Sequence, residues 1–77
     1  MNIVIYTKTN CPNCTTAKRL LDSKGIGYQE LDVIVSEHAV ALFTRYPEAR
    51  QMPQIFINDQ RVGGLAGLQN ALKELGL

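Results

Sequence analysis

Thr9-Asn10-Cys11-Pro12-Asn13-Cys14 is the stretch on which the reading of this chain turns. It holds both cysteines of the protein, with Pro12 and Asn13 between them. A β-branched run, Ile3-Val4-Ile5, stands in front of it. Behind it Ala17, Leu20 and Leu21 recur at helical spacing while Lys18, Arg19 and Asp22 fall elsewhere. The pair therefore sits where a strand ends and a helix begins. A helix start presents unpaired N–H groups and the positive end of the dipole, so an anion is stabilised there. A thiol in that place ionises more readily than a free cysteine, at pKa roughly 3.5–7.5 in C-x-x-C sites against about 8.5. Pro12 suits the first helical turn, where its missing N–H would have had no partner. Cys11, at the tip and open to solvent, is expected to be the attacking thiolate. Cys14, one turn in and shielded, is expected to be the resolving thiol.

Two other readings of the pair fit less well. A zinc site needs about four ligands, and His38 is the sole soft ligand left after the cysteines. A structural disulfide across so short a loop removes little chain entropy. Redox cycling is what a C-x-x-C pair beside a βαβ pattern points to.

The chain has 77 residues, enough for one small domain over residues 1–77. Its apolar share of 45% is that of a globular protein. Eight basic residues against seven acidic leave a net charge of +1, so no broad field for nucleic acid or a membrane surface is expected. No charged-then-apolar leader and no long apolar run is present, so neither export nor a membrane span is expected. Two closely spaced cysteines fit a reducing compartment, which points to the cytoplasm.

In chain order, Asn2 to Thr7 reads as a central strand, apolar on both faces at Ile3-Val4-Ile5. Lys8 to Asn10 is the loop that delivers the cysteines. Pro12 to Lys24 reads as a helix stopped by Gly25. Tyr28 to Asp32, after Gly27, reads as a second strand, which makes a βαβ unit with a parallel pair and a right-handed crossover. Ser36 is expected to cap a second helix to about Tyr46, with Val35, Ala39, Leu42, Phe43 and Tyr46 as its buried stripe. His38 lies off that stripe and reads as a solvated surface residue. Pro47 ends the helix. Met52 to Ile57 reads as a third strand, Asn58-Asp59 as a turn, and Gln60 to Val62 as a short returning strand. Gly63-Gly64 is a loop or bulge. Leu65, Leu68, Leu72 and Leu75 line one face of a last helix. The order is βαβαββα: an α/β fold with a four-stranded mixed sheet and helices on both faces.

Lys8, Cys11-Pro12-Asn13-Cys14, Met52-Pro53 and Gly63-Gly64, in this order along essentially the whole chain, resemble a glutaredoxin. Each piece alone is weak; the set at this spacing is specific. The resemblance implies the small thioredoxin fold with strand order 2-1-3-4. It is nearest in size, and in the Met52-to-Phe56 segment, to compact phage and bacterial members, which often reduce ribonucleotide reductase. It further implies a cis bond before Pro53, placing the Met52 backbone beside Cys11, where its N–H and C=O could pair with an extended substrate. Lys8 would lower the thiolate pKa and meet the glycine carboxylate of glutathione. Asn13, Met52, Pro53, Gly63, Gly64 and Leu65 would line the glutathione groove with it, the glycines by permitting close backbone approach.

Three departures from the family pattern thin that groove. Many members carry tyrosine where Asn13 stands. After its two glycines the family usually places a small polar residue or cysteine and then aspartate or serine; here Leu65 and Ala66 follow, and Leu65 offers its backbone N–H alone. The arginine or glutamine that many members carry on the second helix is matched near Val40, and Arg45 and Arg50 could substitute if the loop is shaped differently. The implied activity is that of a glutathione-linked dithiol–disulfide oxidoreductase, monomeric, with glutathione as reducing co-substrate, protein disulfides such as that of ribonucleotide reductase as substrates, and no resident metal. Two alternatives stay open: reduction by thioredoxin reductase, or an iron–sulfur carrier in which Cys11 of two subunits and glutathione hold a cluster.

Overall fold

The computed structural model describes residues 1–77. Its elements are β1 (Ile3–Thr7), α1 (Pro12–Ser23), β2 (Gln29–Asp32), α2 (Ser36–Arg45), β3 (Gln54–Ile57), β4 (Gln60–Gly63) and α3 (Leu65–Glu74). One sheet orders its strands β2-β1-β3-β4. β1 runs parallel to β2 and antiparallel to β3, with Ile5 opposite Glu30 on one side and Ile55 on the other. β3 and β4 form the expected hairpin, and Asn58 and Asp59 both take positive φ, 51° and 67°, as a tight turn of that twist requires. This is the expected thioredoxin fold.

Alternation along β1 sorts its residues between two layers. Ile3 and Ile5 face α1 and α3 and pack with Ala17, Leu21, Ile55, Leu68 and Leu72. Burying each of these large side chains contributes about 1.5–3 kcal/mol. Tyr6 faces the other way, toward α2, with Phe56 at 5.7 Å in an edge-to-face pair. A smaller cluster on that side joins Cys11, Cys14, Leu42 and Met52.

Several expectations are corrected. Val35, not Ser36, is the N-cap of α2, and it makes no side-chain cap bond. Asp32 supplies the local turn instead, its Oδ1 accepting the N–H of Ile34 at 2.9 Å. Val35 is exposed and Leu42 is the one buried residue of the α2 stripe, because α2 leans on the sheet by its middle. His38 is half-buried rather than solvated: its Nδ1 lies 2.8 Å from the Asp32 carbonyl, which only accepts, so Nδ1 carries the proton. Leu75 lies past the end of α3 and is 53% exposed. The β3 ladder begins at Gln54, opposite Tyr6, because Pro53 has no N–H to contribute.

Candidate active site

Asn10 delivers the cysteines by turning the chain through φ 56°, a left-handed conformation that asparagine tolerates. Cys11 is then the N-cap of α1 and Pro12 its first residue. The Cys11 carbonyl accepts the first helical bond, from Thr15 N–H at 3.2 Å. Its sulfur accepts the N–H of Cys14 at 3.1 Å, the capping role usually filled by a serine or aspartate oxygen. The two sulfurs are joined as a disulfide, with Cα atoms 5.2 Å apart. An N–H aimed at a sulfur in this way is an arrangement that stabilises a thiolate over a thiol.

Cys11 is more enclosed than a residue at a loop tip would be, at 9% exposure against 2% for Cys14. The cause is Met52, whose carbonyl oxygen lies 3.4 Å from the Cys11 sulfur. The Met52–Pro53 bond is cis, as expected. Gln54 braces this loop, its Nε2 donating to the Gln51 carbonyl at 2.8 Å. On the far side of Pro53 stands Gly64, the N-cap of α3, where a Cβ would come within 3.5 Å of the Pro53 carbonyl. Gly63, at φ 102°, sits at the bulge in the β3–β4 ladder, opposite Ile55. The segments around residues 11, 52 and 64 thus meet at one end of the sheet.

The other candidates fall around that junction. Lys8 lines an open cleft of about 460 Å³ together with Asn10, Cys11, Cys14 and Lys18. Asn13 is exposed on the first turn of α1. Leu65 is half-buried and Ala66 exposed at the start of α3. Val40 is 64% exposed on α2. Arg45 and Arg50 are drawn to rings, Arg45 over Tyr46 at 5.5 Å and Arg50 over Phe43 at 5.4 Å. Both rings pack against the cluster of Cys11, Cys14, Leu42 and Met52.

A polar set that the sequence reading passed over borders the same cleft. Glu30 Oε2 accepts from Thr7 Oγ1 at 2.8 Å and from Lys18 Nζ at 2.9 Å. The hydrogen bond from Lys18, with that from Thr7, holds the Glu30 carboxyl below its ordinary value. The bond to Glu30 raises Lys18 in turn. The sequence signal was the four-residue step from Cys14 to Lys18, which puts both on one face of α1. No three His, Cys, Asp or Glu side chains come together to hold a metal ion.

A glutaredoxin family model matches residues 3–62, from the first strand through the hairpin. The chain belongs to the glutaredoxin family. A glutaredoxin of Neisseria meningitidis serogroup A is 41% identical over 76 residues, covering 97% of this chain and 89% of that one. The crystal structure of glutaredoxin 1 from Francisella tularensis, complexed with cacodylate, superposes at TM-score 0.77 and 27% identity over 99% of this chain and 98% of that one. The glutaredoxin-like NrdH-redoxin of Escherichia coli, whose structure is described as the basis of a thioredoxin-like activity profile, superposes at 0.76 and 29% identity over 91% and 93%. As a member of this family, the chain is a thiol–disulfide oxidoreductase, and it carries the Cys11–Cys14 disulfide. No helix is long and apolar enough to cross a membrane.

Proposed function

We propose that this glutaredoxin is a glutathione-linked reductase of protein disulfides and glutathione mixed disulfides, working in the cytoplasm. The observation that carries the reading is the Cys11–Cys14 disulfide at the start of α1, with the Cys14 N–H donated to the Cys11 sulfur. The Cys11 thiolate attacks one sulfur of the substrate disulfide, and the other sulfur leaves as a thiolate and takes up a proton. Cys14 then loses its proton and attacks Cys11, freeing the second substrate thiol. Two electrons have passed to the substrate, and the protein is left as the disulfide. Two glutathione molecules return the dithiol and leave as glutathione disulfide. Lys8 and the groove of Asn13, Met52, Pro53, Gly63, Gly64 and Leu65 are the proposed glutathione contacts. A ribonucleotide reductase disulfide is a proposed protein substrate.

One arrangement favours a second electron source. Exposed Val40 and Ala66 offer no polar side chain where the family usually places glutathione partners. The structural neighbour with a thioredoxin-like activity profile points the same way. A coupled assay on a protein disulfide compares glutathione plus its reductase with thioredoxin reductase, each oxidising NADPH. Turnover with glutathione supports the main reading; turnover with thioredoxin reductase alone replaces it with the second.

A further inference from the structure

Lys18 is a second cation at the dithiol. It stands four residues after Cys14, one helical turn along the same face of α1, and it lines the cleft that holds both cysteines and Lys8. No Asp or Glu lines that cleft. With a whole-chain charge of +1, this is a local separation of charge rather than a basic protein. The Lys18 side chain is 30% exposed, and Glu30 holds its ammonium at 2.9 Å. Glu30 is itself fixed from beneath by Thr7, a residue only 2% exposed. An ammonium has three N–H donors, so one bond to Glu30 orients the group and leaves donors for a ligand. Glu30 also offsets part of its charge. Tyr28, Asp22 and Arg19 share with Lys18 and Glu30 a neighbouring surface hollow, outside the dithiol cleft.

We propose that Lys8 and Lys18 form a two-point cationic rim that selects disulfides flanked by carboxylates. Lys18 is a specificity-determining residue, and Glu30 is a positioning residue that attenuates it. The preferred substrate class is an acidic disulfide-bearing peptide segment. This rests on the dithiol mechanism proposed above and adds to it what the substrate carries next to its sulfurs.

The test uses three synthetic peptides, each closed by one disulfide and differing only in flanking residues: aspartates, serines or lysines. The reduced protein is mixed with each, and kcat/KM is read at low and high ionic strength. The measured quantity is the acidic rate divided by the serine-peptide rate of the same variant, which cancels changes in thiol reactivity. An exposed ion pair changes affinity about two- to fivefold, so the wild-type ratio should exceed one by at least that factor and shrink with salt. Lys18→Gln should lower the ratio about two- to fivefold, and Lys18→Arg should keep it. Glu30→Gln should raise it, the opposite of what loss of a merely structural ion pair would do. Equal rates for the aspartate and serine peptides, or an unchanged ratio in Lys18→Gln, would overturn the proposal. Should Glu30→Gln lose its fold by circular dichroism, the Lys18 pair of variants decides alone. Failure to reduce even the serine peptide would count against the dithiol mechanism itself.

Discussion

At the residue scale, one sulfur serves two ends in the proposed mechanism: Cys11 caps α1 in the oxidised protein, and the N–H that caps it is placed to favour the thiolate proposed to attack. Cys14 makes no matching acceptance and is nearly sealed, at 2% exposure. Limiting iodoacetamide on the reduced protein should therefore label Cys11 at a pH well below the free-thiol value of about 8.5. Mass mapping checks this, and label on Cys14 would reverse the assigned roles. Cys14→Ser should keep reaction with glutathione mixed disulfides and lose most activity on protein disulfides, whereas Cys11→Ser should lose both. Gly67 makes a different residue-scale point. In most helices replacing glycine by alanine stabilises by about 1 kcal/mol. Here a Cβ would overlap the Val62 carbonyl, a backbone group that cannot swing aside. Overpacking of this kind costs about 1–3 kcal/mol, so Gly67→Ala should lower the urea midpoint. A midpoint that rises would mean α3 slides off Val62 without cost.

At the element scale, the two faces of the sheet are held unequally. α1 and α3 share the larger core, while α2 contributes only Leu42 as a fully buried residue. A pocket of about 120 Å³, half open to solvent, lies beside Leu42, lined also by Tyr6, Tyr46 and Phe56. Leu42→Ala should cost about 2–5 kcal/mol, toward the lower part because the space it leaves opens into a solvent-accessible pocket. Amide exchange should quicken through α2 more than through α1; uniform acceleration would show that α2 unfolds only with the whole domain. The Lys18–Glu30 pair ties α1 to β2 and sets a pH window. The Glu30 carboxyl titrates below its ordinary 4.5, so its contribution is present above that value and fades as pH falls through the lowered one. Lys18 titrates above its ordinary 10.5, so the same contribution is present below that value and fades as pH rises through the raised one. With side chains 30% and 39% exposed, the pair is worth under about 1 kcal/mol. Stability measured from pH 3 to 7 should slope less in Glu30→Gln than in the wild type, and parallel slopes would assign the acid loss elsewhere.

At the scale of the whole molecule, the site exists only where three distant segments converge: the start of α1, the Met52–Pro53 loop and the start of α3. In the proposed glutathione groove the weakest member is the α3 start, where exposed Ala66 offers no side-chain acceptor. A well-formed charge-assisted hydrogen bond is worth about 1.5–3 kcal/mol. At an exposed position the low end applies, about a tenfold change in affinity. Ala66→Asp also suits the helix dipole at that end. The apparent Michaelis constant for glutathione should fall by up to that factor, and by less at high salt. A constant that does not move would place Ala66 outside the groove or remove glutathione as the reductant.

The sequence by itself determined the elements and the place of the cysteine pair at the start of α1. The β-branched run before Cys11, the leucine spacing after it, Pro12 and the Asn58-Asp59 turn are local signals, because caps, turns and periodicity act between residues a few positions apart. The resemblance carried by Met52-Pro53 and Gly63-Gly64 added the strand order and the neighbour of Cys11. Only the tertiary structure decided how His38 is held by the Asp32 carbonyl and how little of α2 is buried. It alone set Glu30 between Thr7 and Lys18, beside the dithiol cleft. Each of these depends on the register and tilt with which elements dock. A polar side chain reads as a surface residue in a pattern, and becomes something else once a strand 12 or 23 positions away is laid against it.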